Sequence, residues 1–328
     1  MAKFLKWISS NRRISQYCVG LAGGCIFGGY LLPHGLFLDK YKRFVQAYRE
    51  GLPVKLTPEL TRHVDAVLDD AAVDADERSR LRFFTAFGAD PFHAGGTGLR
   101  WGAAIGLPQT FALDGPAELN SSGFTVGGKK VDWESREGVL LSDGLRLSPA
   151  AQRFAIAREL WHVRSSQVWQ DGGVGAAALF ATYLLGSSLN QRLGFAQRPR
   201  GLRVMLYSLV SLFGVAVWVT VTDVIQHHRD SESDMAAARL GAAYAWGGVE
   251  FYEKTLERNR ALRRLLGDDG ESSYSAFGNE RTLLRQPRMP LTERLETLRA
   301  YCEKHHPVER AAGEGSVSAQ DAPPDGAA

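Results

Sequence analysis

Three long uncharged apolar runs interrupt a chain that otherwise alternates polar and apolar positions as a water-facing domain does. Residues 204–222 (VMLYSLVSLFGVAVWVTVT) carry no charge, and a bilayer-crossing helix needs roughly 20 mostly apolar residues. Residues 172–189 (GGVGAAALFATYLLGSSL) are also uncharged but rich in Gly, Ala and Ser, which weaken insertion and let helix backbones approach closely. The two runs predict a two-span helical hairpin. A third uncharged run, 17–38, contains six glycines, Pro33 and His34; it predicts an N-terminal span over 15–38.

Between these runs the pattern predicts an α+β membrane protein, mostly helical. Residues 39–170 read as a polar α+β domain, 223–310 as a helical C-terminal region packing with it, and 311–328 as a disordered tail of Gly, Ala, Ser, Pro and acid. An amphipathic helix is expected over 56–75, with Thr57 as its cap and Pro58 in its first turn. Residues 88–107 are Gly-rich and read as irregular. Alternation at 110–113, 124–131 (around Gly127-Gly128) and 138–141 suits a small antiparallel sheet. Ser148 and Pro149 then cap and open a helix, SPAAQRFAIARELWHVRSSQVW, that leads into the hairpin. Another helical run is expected over 229–257.

The charge is balanced, with 39 basic and 36 acidic residues for a net +3, which argues against nucleic-acid binding. The imbalance is local. The basic segment 1–14 holds Lys3, Lys6, Arg12 and Arg13 and no acid, like a mitochondrial address; a secretory signal is the rival, but no small-x-small cleavage site closes the run. The loop 190–203 holds Arg192, Arg198, Arg200 and Arg203 and no acid. Short basic loops stay on the side of insertion, so both segments are expected to face the matrix, with 39–170 and 223–310 on the opposite side. The three cysteines form no disulfide framework. Cys18 and Cys25 share a helical face and read as small packing residues, with metal or redox use as the alternative.

One constellation could carry chemistry. Arg158-Glu159-Leu160-Trp161-His162 keeps the Glu and the second His of His-Glu-x-x-His, in which two His at i and i+4 share a zinc ion and the Glu activates its water. Arg158 stands where the first His belongs, and a guanidinium has no lone pair to give a metal. The surroundings, with Pro108-Gln109-Thr110-Phe111 and Leu140-Leu141-Ser142-Asp143 before this helix, resemble the membrane-embedded zinc metallopeptidases related to prenyl-protein proteases and the bacterial heat-shock protease. That resemblance implies a degenerate metallopeptidase-like fold, with vestigial metal-site positions at Arg158, Glu159, His162, Asp230 and Asp234. Asp230 would replace a longer Glu ligand. Glu159 and His162 equally suit an ordinary solvated helix face. No catalytic, cofactor-binding or metal-binding role is expected.

A second resemblance covers most of the chain. Val131-Asp132-Trp133, the run from Leu147-Ser148-Pro149 to Arg158-Glu159, the run from Ala242-Ala243-Tyr244 to Glu253-Lys254, and Leu265-Leu266-Gly267-Asp268-Asp269-Gly270-Glu271 are similar to the transmembrane protein 177 family of animals. The resemblance implies a multi-pass mitochondrial inner-membrane protein acting early in cytochrome c oxidase assembly. Its partners would be newly made subunit 2 and the chaperone that escorts it. It also implies that the chain is not an enzyme and takes no cofactor. A membrane zinc peptidase with an altered ligand set and a plain membrane anchor are the alternatives. Two surfaces could meet a partner: the Gly/Ala face of 172–186 and the stretch 247–252, although Phe251 and Tyr252 also read as core.

Overall fold

The computed structural model describes residues 12–113, 124–282 and 285–307. Helix α1 (Arg12–His34) turns at Gly35 into the short α2 (Leu38–Val45), with a 61° bend between them. Helices α7 (Gln167–Arg192) and α8 (Arg200–Ala238) are long and apolar enough to cross a membrane, and the bent α1–α2 pair makes a third candidate span. Helix α8 has 39 residues, about 58 Å at 1.5 Å per residue. That is nearly twice the ~30 Å of bilayer hydrocarbon, so its C-terminal half projects into the polar domain.

Glycine contacts set the span packing. A Cβ on Gly172 would meet the Phe27 ring at 2.9 Å, and one on Gly175 would meet Ile26 Cγ2 at 2.8 Å, so both glycines let α1 lie close on α7. Gly186 faces Tyr207 and Val210 of α8. The small-residue face of 172–186, expected as a possible docking surface, is therefore used inside the bundle. Gly20, Gly24 and Gly28 of α1 have nothing within 4 Å, and Cys18 and Cys25 are exposed on that helix rather than packed.

In the polar domain, α3 (Pro58–Asp70) starts as the sequence predicts, with Thr57 Oγ1 accepting from the Leu60 amide. After α4 (Ala75–Arg80), strands β3 (Leu81–Ala86), β4 (Phe92–Gly95) and β5 (Ala103–Pro108) form a mixed sheet in the order β3-β5-β4, with β3 parallel and β4 antiparallel to β5. Two-residue strands β1 (Tyr48–Arg49) and β2 (Leu52–Pro53) form a small hairpin. Strands β4 and β5 lie where the sequence read as irregular. The reason is burial: all six residues of β5 are buried, and a strand covered on both faces shows no alternation. The glycines serve it, because a Cβ on Gly106 would strike Phe84 and Ala86. Conversely, 110–113 is a 3₁₀ turn (Gln109–Ala112), and 138–141 belongs to helix α5 (Arg136–Leu145). Ser135 caps α5 through the Gly138 amide, and Leu141 and Leu145 take the core at helical spacing. The expected turn at Gly127-Gly128 does form, both glycines at positive φ, between β6 (Thr125–Val126) and β7 (Lys129–Lys130).

Ser148 caps α6 (Pro149–Arg164) as predicted. The helix stops at Ser165 instead of running into the span. Likewise α8 ends at Ala238, and Gly241 starts α9 (Ala242–Leu265), so the run expected over 229–257 is two helices. Helix α9 lies on α5 and α6, where Gly247 and Gly248 bring it against Ala150 and Phe154. The stretch 247–252 is thus interior, with Phe251 and Tyr252 buried. Helices α10 (Asp268–Ser273) and α11 (Leu291–His305) complete the order. The core joins Val67, Phe154, Ile156, Leu160, Tyr252 and Leu298 from α3, α6, α9 and α11. The tail expected over 311–328 lies outside the described residues.

Candidate functional site

The five residues singled out from the sequence meet in one buried polar network between α6 and α8. Asp230 lies eight residues past the end of the uncharged run at Thr222, about 12 Å along the helix, so the network sits just outside the bilayer's apolar layer. Glu159 is 2% exposed. It is ion-paired with Arg158, whose Nε donates at 2.9 Å, and its other oxygen lies 2.5 Å from His93 Nδ1 on β4. Arg158 also donates to the Tyr252 hydroxyl at 3.2 Å and lies over the Phe251 ring. Tyr252 in turn donates to Asp234 at 2.7 Å. Arg294 of α11 donates to both oxygens of Asp234 at 2.7 and 2.8 Å and lies 3.6 Å from Asp230. Asp230 accepts from Gln226 and from the Met289 amide. His162 Nε2 shares a 3.0 Å hydrogen bond with the Ser233 hydroxyl and lies 3.9 Å from Asp230.

The electrostatics follow from this pairing. Burial pushes the Glu159 carboxyl up, but Arg158 and then His93 outweigh it and hold it well below the usual carboxylate range. Burial and the adjacent His93 hold the His162 imidazole well below its ordinary value, so it is neutral. Burial raises the Tyr252 phenol, which stays protonated as a donor to Asp234. The Arg294 guanidinium stays charged: its burial is overcome by Asp234.

The zinc implied by the more distant resemblance does not fit these residues. Arg158 occupies a ligand position and folds onto Glu159, the residue that would activate a water. His93 and His162 stack with ring centroids 4.7 Å apart and planes within 7°. Imidazole lone pairs lie in the ring plane, and two parallel planes share no point where one ion could sit. Among the described residues no group of three or more His, Cys, Asp or Glu is arranged to hold a metal. The network borders a cavity of about 300 Å³ that also touches His34, Gln167 and Gln226, residues at the inner ends of all three spans.

Sequence reasoning missed His93, Ser233 and Arg294, and it read Tyr252 as core or as part of a partner surface, not as a member of this network. His93 carried no local signal, since its strand was not recognised. Arg294 did carry one. It shares a helical face with Leu291, Leu295 and Leu298, the last two buried with it, and an Arg on an apolar stripe implies a buried partner.

The fold and this network define the class: a multi-span membrane protein, mostly helical, whose α+β domain is tied to its spans by buried ion pairs. The transmembrane protein 177 family matches residues 30–305. The chain is 36% identical to human transmembrane protein 177 over 290 residues, covering 87% of this chain and 92% of the relative. It is 34% identical to the Danio rerio protein over 78% and 83% of the two chains, and 32% identical to the Xenopus laevis protein over 90% and 96%. The chain belongs to the transmembrane protein 177 family. No solved structure matches it.

Proposed function

We propose that this protein is a non-enzymatic assembly factor of the mitochondrial inner membrane. In this reading it acts early in cytochrome c oxidase subunit 2 biogenesis and stabilises the new subunit and its assembly chaperone. The non-enzymatic part rests on one observation: Glu159 is buried and both its carboxylate oxygens are already held, one by Arg158 and one by His93. The subunit 2 part rests on the family the chain belongs to. The basic N-terminal segment and the 190–203 loop supply the expectation that these ends face the matrix.

The deciding experiment is gene deletion followed by pulse labelling of mitochondrial translation products. New subunit 2 should turn over faster while the other products stay unchanged; normal subunit 2 turnover overturns the role. Metal analysis of the purified protein tests the other half. Stoichiometric zinc that disappears on His162→Ala would reinstate the peptidase reading.

A further inference from the structure

The described end of the first basic segment, at Arg13, lies on the same end of the bundle as the arginine-rich loop 190–203. Ser15 Oγ lies 3.0 Å from the Tyr183 hydroxyl, which puts the start of α1 beside the end of α7. Gly186 packs on Tyr207, which puts the start of α8 at the same level. Measured from Tyr183 at about 1.5 Å per residue, Arg13 stands roughly 3 Å further out. On the same scale Arg203 stands about 10 Å out and Arg192 and Arg200 about 14–15 Å out. Arg198 lies in the loop between them. Among the described residues none of these five arginines pairs with a carboxylate, and no acid occurs in 12–38 or 172–222.

The loop is built rather than loose. Gly194 adopts the left-handed conformation that ends α7, a 3₁₀ turn (Phe195–Gln197) follows, and Pro199 sets the first turn of α8. Arg198 lies over the Phe195 ring. Helix α8 begins with no side-chain cap and no acid in its first turn, so its free amides and its dipole add to the arginines' field. Exposed apolar side chains surround this field: Leu193, Leu202, Val204 and Met205 are 37–65% exposed. One helical turn inward of Arg13 and Arg203 stand Tyr17 and Tyr207, 76% and 42% exposed, as tyrosines do at membrane interfaces.

We propose that this face of the bundle is a binding site for an anionic phospholipid. The phosphate would lie among Arg192, Arg198, Arg200 and Arg203 at the start of α8, and the acyl chains would run down past Leu202 and Tyr207. The exposed apolar rim and the tyrosine level select a lipid over a free anion. A surface arginine contributes about a fivefold gain in affinity for anionic lipid, and a fixed loop adds to this by holding the guanidiniums in place.

The test uses the full-length protein in neutral detergent micelles with fluorescent phosphatidylglycerol and fluorescent phosphatidylcholine as probes. Phosphatidylglycerol should bind the more tightly, and its affinity should fall as salt rises. Arg198→Gln with Arg200→Gln should weaken it roughly 25-fold, two fivefold losses, and leave phosphatidylcholine unchanged. Equal binding of the two lipids, affinity indifferent to salt, or an unaffected double variant each overturns the proposal. So does displacement of the lipid by inorganic phosphate at a comparable concentration, which would mark a plain anion site. Should the double variant fail to insert, the lipid preference and salt dependence of the unaltered protein decide.

Discussion

Replacing Arg158 with Met tests whether the polar network is a structural tie. Methionine keeps much of the length but removes the charge, including the guanidinium over the Phe251 ring. Glu159 would then be a 2% exposed carboxylate facing only His93 and His162. Removing one partner of a buried pair typically costs about 3–5 kcal/mol, because the other charge is left uncompensated. For a domain of 150–250 residues each kcal/mol moves the melting temperature by about 2–4 °C, so Arg158→Met should lower it by roughly 6–20 °C. Adding Glu159→Gln removes the stranded charge, and the double variant should regain most of that loss. The assay is thermal unfolding of detergent-solubilised protein, read by tryptophan fluorescence as a double-mutant cycle. The sign with pH is fixed. The carboxyl is depressed in the folded state, so its stabilisation is complete above about pH 4.5 and is lost as pH falls towards its folded value. An Arg158→Met protein that melts with the unaltered one, or a double variant no better than the single, would refute the reasoning.

Three further outcomes follow from other parts of the structure. His162 is held neutral in the fold, so between its lowered folded pKa and the ordinary value near 6.5 the unfolded chain binds the extra proton. Stability should therefore fall as pH drops below about 6.5, by up to ~1.4 kcal/mol per pH unit; His162→Gln should flatten that slope in melting curves taken from pH 7.5 to 5. Tyr252→Phe removes the 2.7 Å donor to Asp234 but leaves Arg294 in place, so the loss should be about 1–3 kcal/mol by the same melt. Gly175→Leu must displace Ile26 and should destabilise the bundle by about 1–3 kcal/mol, whereas Gly24→Leu meets nothing and should melt normally. If partner spans pack on that open face, Gly24→Leu should reduce subunit 2 recovered with the protein.

The parts legible in the sequence are those whose physics is local. Charge-free runs mark α7 and α8, and Ser148-Pro149 and Thr57-Pro58 mark helix starts because capping involves residues three apart. The central strand β5 was not legible, since burial on both faces removes the alternation that marks a strand. Residues 138–141 misled for the opposite reason: a four-residue alternation is too short to distinguish from one face of a helix such as α5. At the site, Arg158, Glu159 and His162 were found because motif spacing groups them, and Asp230 and Asp234 because the metallopeptidase resemblance implies them. Their partners His93 and Arg294 come from a strand and a helix 66 and 60 residues away, and no spacing rule reaches across such a fold.

The network's position bears on what it does. Arg158, Glu159 and His162 stand on α6, before the α7–α8 hairpin, and Asp230, Ser233 and Asp234 stand on the C-terminal part of α8, past its apolar run. The network therefore closes the two ends of the hairpin against each other about 12 Å beyond its apolar run. Beside it, Arg229 of α8 pairs with Asp171 of α7 and ties the two hairpin helices to each other directly. Two guanidiniums, Arg158 and Arg294, supply two positive charges among Glu159, Asp234 and Asp230. The remaining demand on Asp230 is met by an amide and a Gln side chain. An ion is thus not needed to hold the acids together. A buried set of this kind adds little stability over an apolar packing of the same volume, but it is costly to misalign, because each shift strands a charge. Its contribution is to fix the orientation of the spans relative to the domain. That orientation is what a protein holding another membrane subunit would have to keep constant.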